Sequence, residues 1–278
     1  MLNLLLAVAS SAMVAIVMRL SSHRVKGGIS MLSANYLVCT VLGTGYALAE
    51  STPLFSSHFP AVAGLSLVNG ILLLAGFLLM QHHTRKDGVV LSSVFMKLGL
   101  LIPFLVSILF FREMPTLLQS IGFCLAICAI LLINLKPGQR LRNPSWGLLL
   151  LLLAGGGSDA MAKVFRFCCP AQPEGWFLAL SFAVAFFLCS AIALGKKHLP
   201  GKEELFFGAL IGIPNFFSSK FLLGALTHIP AVVVYPTFSV TTMFVVTLAG
   251  VLVFRETLTR RQWLALGIIM TALILLNI

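Results

Sequence analysis

Acidic side chains are what this sequence has least of: eight Asp and Glu among 278 residues, against nineteen Lys and Arg. Charged residues of both signs make up only 10% of the chain, and 59% is hydrophobic. A soluble domain carries roughly 25% charged residues, so the shortage excludes an ordinary water-soluble core. Polar stretches long enough to form a soluble domain between the apolar runs are missing as well. Cysteine is limited to Cys39, Cys124, Cys128, Cys168, Cys169 and Cys189, with no C-x-x-C spacing. These read as small residues inside apolar runs, which argues against a disulfide framework or a metal centre. No basic residue precedes the first apolar run, and Arg19, Arg24 and Lys26 lie at or beyond its far end, so that run is not expected to be a cleaved signal peptide.

What is present is apolar length. Ten runs long enough to cross a bilayer fall at 2–20, 29–49, 61–81, 88–110, 115–135, 145–165, 175–195, 204–226, 230–253 and 260–278. A net charge of +11 points to nucleic acid in a soluble protein. Here the basic residues sit in the connections between spans, where they set orientation, so no nucleic-acid partner is expected. The odd-numbered connections hold Arg19, Arg24, Lys26; Arg85, Lys86; Lys136, Arg140, Arg142; Lys196, Lys197, Lys202; and Arg255, Arg260, Arg261. The even-numbered ones hold only Arg112 and Arg166. Because Lys and Arg are retained on the cytoplasmic side, this bias predicts that both termini lie outside.

The chain also repeats itself. Laid over 231–278 without a gap, the stretch 88–135 matches at Phe95/Phe238, Phe111/Phe254, Arg112/Arg255, Glu113/Glu256, Thr116/Thr259, Gln119/Gln262 and Asn134/Asn277, besides several aliphatic positions. Aliphatic matches are cheap in a membrane sequence, whereas polar ones are not. Spans four and five therefore recur as spans nine and ten. The organisation expected is all-α, ten transmembrane helices in two five-helix repeats over 1–135 and 145–278. Five is odd, so the second repeat enters the membrane inverted. Inverted repeats of this kind are a hallmark of secondary transporters. Arg-Glu is expected to mark a tight interfacial turn, with Thr capping the next helix.

At these residues the chain resembles the drug/metabolite transporter superfamily, specifically its ten-span EamA-type members. The shared pattern is a Pro-containing fourth span, a turn ending in Glu, Thr-x-x-Gln and a small-residue fifth span. Here it is Pro103, Phe111-Arg112-Glu113, Thr116 and Gln119, and again Phe254-Arg255-Glu256, Thr259, Gln262 and Gly267. The resemblance implies a transporter of small organic solutes with a cavity walled by spans from both halves. In many members the second connection is basic and both termini are cytoplasmic, whereas here the second connection, 50–60, has no Lys or Arg.

Ionisable groups inside spans cost about 2.5–3.5 kcal/mol each to insert, which makes them functional candidates. They are Lys97, Asp159, Lys163 and Lys220. Asp159 and Lys163, four residues apart, share a helix face and are expected either to neutralise each other or to act as a switch that a solute or a proton opens. Lys97 lies near the middle of span four, and its repeat counterpart is Val240. It is the expected solute contact, whereas Lys220, nearer a helix end, has the reach to snorkel. Pro103, Pro214, Pro230 and Pro236 are possible helix breaks that free backbone groups for a solute. Asn69, Asn215 and Tyr235 are neutral hydrogen-bond candidates, with interhelical bonding as the plainer role. Gly155-Gly156-Gly157 and Gly208-x-x-x-Gly212 are expected to admit close helix packing.

An excess of ammonium groups points to a solute bearing a carboxylate or phosphate; the alternative is a cation held by Asp159. An alternative of another class is a membrane acyltransferase, since His82 and Asp87 have H-x4-D spacing, though its companion phosphate-binding motifs are absent. With no nucleotide-binding motif, transport would draw on solute or ion gradients. No cofactor or metal is expected. The expected partners are the lipid bilayer of a bacterial plasma membrane and a small-molecule solute, with the chain a monomer or weak homodimer.

Overall fold

The computed structural model describes residues 1–21, 24–25, 27–50, 59–87, 89–134, 146–169, 174–195, 201–253, 255 and 258–278. Lys26, Lys136, Arg140, Arg142, Lys196, Lys197, Phe254 and Glu256 lie outside the described residues. Among those described there is no strand, and eleven helices follow one another. They are α1 (Leu2–Ser21), α2 (Gly28–Ala49), α3 (Phe59–Lys86), α4 (Val89–Leu98), α5 (Leu101–Phe111), α6 (Leu117–Asn134), α7 (Trp146–Cys168), α8 (Glu174–Gly195), α9 (Lys202–Ala225), α10 (Ala231–Leu252) and α11 (Arg260–Leu276). With α4 and α5 taken as one span, they fill the ten expected positions. Eight are long and apolar enough to cross a membrane, and α6 and α11 are shorter. Lipid offers no hydrogen bonds to a chain this apolar, so each backbone N–H and C=O must find its partner within the helix.

The fourth span, expected as one helix, is two, and Pro103 supplies the reason. Proline has no N–H, and its ring collides with the carbonyl four residues earlier. That carbonyl belongs to Gly99, where α4 has already ended. The chain crosses the gap on tighter bonds, from Gly99 N–H to Met96 C=O (3.2 Å), Leu100 N–H to Lys97 C=O (3.4 Å) and Ile102 N–H to Gly99 C=O (2.9 Å). By contrast, α9 and α10 run through Pro214 and Pro236 without interruption.

The repeated motif has repeated geometry. Arg112 and Arg255 are both left-handed at φ 54°, the only positive-φ residues besides glycine among those described. Each is followed by a reciprocal cap. Thr116 Oγ1 accepts the Gln119 N–H (3.2 Å) while the Gln119 side chain accepts the Thr116 N–H (3.0 Å). Thr259 and Gln262 repeat it at 3.4 and 2.9 Å. A left-handed residue after a helix is the position that glycine occupies best. Arg112→Gly is therefore expected to raise the melting temperature slightly, by up to about 1 kcal/mol of stability, whereas Arg112→Val should lower it. Thermal unfolding of the two purified variants checks this.

Two compact units form: Met1–Leu74 with Val164–Thr227, and Ala75–Lys163 with His228–Ile278. Each draws helices from both halves of the sequence. In the first, α2 packs on α8 and α9, and α1 on α9. A β-carbon on Gly208 would fall 2.5 Å from both the Met31 carbonyl oxygen and Ala34 Cβ, so this GxxxG does bring α9 onto α2. In the second, α6 packs on α11, and α10 on α5 and α11. Its core is Leu100, Phe104, Phe123, Ile130, Val240 and Ile269, with Phe104 and Phe123 stacked at 3.7 Å. Counterpart spans thus pack on each other: α2 on α8, α5 on α10 and α6 on α11.

Candidate functional site

The break in span four positions Lys97. It is the penultimate residue of α4, where the negative end of the helix dipole favours a cation. Against this turn lies the glycine run of α7. A β-carbon on Gly156 would overlap the Gly99 carbonyl oxygen and come within 2.7 Å of Ile102 Cβ, and one on Gly99 would meet Gly156 N at 3.0 Å. Backbone therefore sits on backbone. Three residues after Gly156, Asp159 lies within electrostatic reach of Lys97. Lys97 and Asp159 are both exposed residues on this face. Tyr235, buried in α10, donates its hydroxyl to the Asp159 backbone carbonyl at 2.7 Å. Its phenol joins α10 to α7, which is the interhelical role.

The i, i+4 pair expected between Asp159 and Lys163 does not form. Lys163 pairs instead with Glu113, which lies in the turn after α5, and its ammonium stands 5.6 Å from the Phe111 ring centroid. The other carboxylate oxygen of Glu113 accepts the Ala231 N–H (2.7 Å) and the Val232 N–H (3.3 Å). These are first-turn amides of α10, whose N-cap is Pro230 with no side-chain capping bond of its own. One carboxylate thus serves three needs: it caps α10, balances the helix dipole and neutralises Lys163. Only 16% of the Lys163 side chain and 18% of the Glu113 side chain is exposed, so both charges depend on each other. The repeated FRE turn carried the signal for Glu113, but as a marker of the turn rather than as a partner for Lys163.

The remaining candidates belong to the other unit. Asn215 Nδ2 donates to Asn35 Oδ1 at 3.2 Å, joining α9 to α2, and Asn69 is buried and bonded. The Lys220 ammonium sits 3.8 Å from the Tyr46 ring centroid, a cation–π contact. Nearby, Arg166 and Glu174 pair at 2.6 Å. The structure therefore gathers Lys97, Asp159, Lys163 and Tyr235 in one unit and Asn69, Asn215 and Lys220 in the other.

The H-x4-D pair also changes partner. Asp87 Oδ2 lies 2.5 Å from Nδ1 of His83, not of His82. On a helix, residues four apart face each other and residues five apart do not. His83 is 3% exposed and its ring packs against Gly147, so this imidazole is closed to a substrate. Among the described residues no cluster of His, Cys, Asp or Glu has the makings of a metal site.

Comparison with known proteins agrees with this architecture. An uncharacterized protein of Haemophilus influenzae is 25% identical over 227 residues, covering 79% of this chain and 73% of that one. A protein of known crystal structure matches 99% of this chain and 98% of its own at TM-score 0.78. At 11% identity, that likeness is one of fold alone. Residues 145–278, the stretch expected as the second repeat, match the EamA-like transporter family. The second half of this multi-pass membrane protein, residues 145–278, is thus similar to the EamA-like transporter domain of the drug/metabolite transporter superfamily.

Proposed function

We propose that the protein is a secondary transporter that moves a small organic solute bearing a carboxylate or phosphate by alternating access. The observation that carries this is the exposed Lys97 ammonium at the end of the half-helix α4, in a segment broken at Gly99 and Leu100. Discontinuous helices are where transporters of many folds bind their cargo. Lys97 makes the direct contact, and Asp159 is the resident counter-ion that the solute anion replaces. Because the repeat counterpart is the buried Val240, the fold itself has no need of a charge at this position. Lys220, Asn69 and Asn215 are secondary candidates that hold their helices meanwhile.

The membrane is the bacterial inner membrane in this reading, and the chain works as a monomer or weak homodimer without a cofactor. Both termini lie outside. A C-terminal reporter active only in the cytoplasm should then be silent, and full activity would favour cytoplasmic termini instead.

A thermal-shift screen of the purified chain tests the solute class. Solute at a hundred times its Kd adds about 2.7 kcal/mol of stability, enough to read. Carboxylate- and phosphate-bearing metabolites should stabilise the wild type, and the shift should vanish in Lys97→Met but persist in Lys220→Met. If only cationic compounds stabilise it, Asp159 is the contact and the anionic assignment is wrong.

A further inference from the structure

The helix α3 is longer than a membrane needs. Its 28 residues extend about 42 Å at 1.5 Å per residue, while the hydrocarbon layer is about 30 Å thick. Its apolar stretch stops at Met80, and Gln81-His82-His83-Thr84-Arg85-Lys86 continues for nearly two more turns. With the apolar stretch filling the hydrocarbon layer, those turns reach the level of lipid headgroups. Leu78, Gln81, His82, Arg85 and Lys86 recur at three- and four-residue intervals, hence on one face, and they line an open concavity of about 330 Å³.

The charge in that concavity is not balanced locally. Asp87, the acid of this connection, is turned onto the buried His83 at 2.5 Å. Arg85 and Lys86 are exposed and pair with no acid among the described residues. The lining also changes character with depth. Leu78 lies about two turns inward from the cations, so apolar surface sits below positive charge. A free phosphate uses only the upper part of such a site, whereas a phospholipid uses both.

We infer that the C-terminal end of α3 binds the headgroup of an anionic phospholipid, with Arg85 and Lys86 on the phosphate, Gln81 and His82 beside it and Leu78 against the start of the acyl chains. Basic side chains at this depth draw anionic lipids at about 1 kcal/mol each. Both cations together therefore give roughly thirtyfold selectivity over a zwitterionic lipid. The site is independent of the Lys97 reading, since it needs no transported solute.

Native mass spectrometry of the full chain released from detergent, with added phosphatidylglycerol or phosphatidylcholine, tests it. The wild type should retain phosphatidylglycerol preferentially. The Arg85→Ala/Lys86→Ala variant should lose that preference, and Arg260→Ala/Arg261→Ala, a basic pair at another helix end, should keep it. Arg85→Gln/Lys86→Gln provides the same deletion of charge with side-chain length preserved, should the alanine variant not fold. Equal retention of both lipids by the wild type, or unchanged preference in the glutamine variant, overturns the inference. So does full displacement of the lipid by tens of millimolar inorganic phosphate, which would mark a site for the free anion.

Discussion

Gly156→Ala is expected to be among the most damaging single substitutions in this protein. Its new methyl group would overlap the Gly99 carbonyl oxygen, which is backbone and has nowhere to go. Gly99 cannot rotate away, because that carbonyl already receives the Ile102 N–H in the turn that Pro103 forces. Overpacking commonly costs about 1–3 kcal/mol, and a rigid neighbour puts this case at the upper end or beyond. The second repeat offers a control, Gly267, where an added β-carbon meets nothing within 4 Å. Gly267→Ala should be neutral or stabilising by about 0.5–1 kcal/mol, since glycine is the poorer helix former. The measurement is thermal unfolding with size-exclusion profiles in detergent. Equal behaviour of the two variants would mean that α7 does not rest on the broken turn.

The next largest effect is expected at Glu113. Glu113→Ala leaves the Lys163 ammonium partly buried without its partner and uncaps α10, together costing about 3–5 kcal/mol. Glu113→Gln separates the two roles. Its amide oxygen still accepts the Ala231 N–H, while the ion pair and hydrogen bond to Lys163 are lost, so the cap survives and the cost should be smaller than in Glu113→Ala. Hydrogen exchange at Ala231 and Val232 reads the cap directly: protection should survive in Glu113→Gln and collapse in Glu113→Ala. Lys163→Met should suppress part of the Glu113→Ala penalty, because an unpaired ammonium is then no longer left behind. Additive losses in the double variant would show that the two side chains act independently.

Much of this structure was readable from local chemistry. The Thr-x-x-Gln caps at Thr116 and Thr259 and the turns at Arg112 and Arg255 form wherever their sequence occurs, because each involves neighbours three or four residues apart. Likewise, Pro103 foretold trouble in span four, since its steric conflict falls on a fixed carbonyl. Spacing also held the answer for Asp87: four residues reach His83 on a helix, and five do not reach His82. The partner of Lys163 was different. Glu113 lies 50 residues upstream, and only tertiary packing brings it to α7 and the start of α10. Periodicity favoured Asp159 for Lys163, but a carboxylate already fixed by two α10 amides is the better-placed acceptor. The glycine run was legible as a packing feature, though the surface it packs against, a broken turn holding Lys97, was not.

Transport by reconstituted liposomes, comparing Lys97→Met with Asp159→Asn, tests the account most directly. The solute is the strongest anionic stabiliser from the thermal-shift screen, and both variants are first checked for wild-type size-exclusion profiles. An ammonium in direct contact with cargo holds most of the binding, whereas a counter-ion that cargo replaces holds little. Lys97→Met should therefore abolish flux with the fold intact, and Asp159→Asn should only reduce it. Silent Lys97→Met together with dead Asp159→Asn would contradict the account and make Asp159 the carrier of a cation.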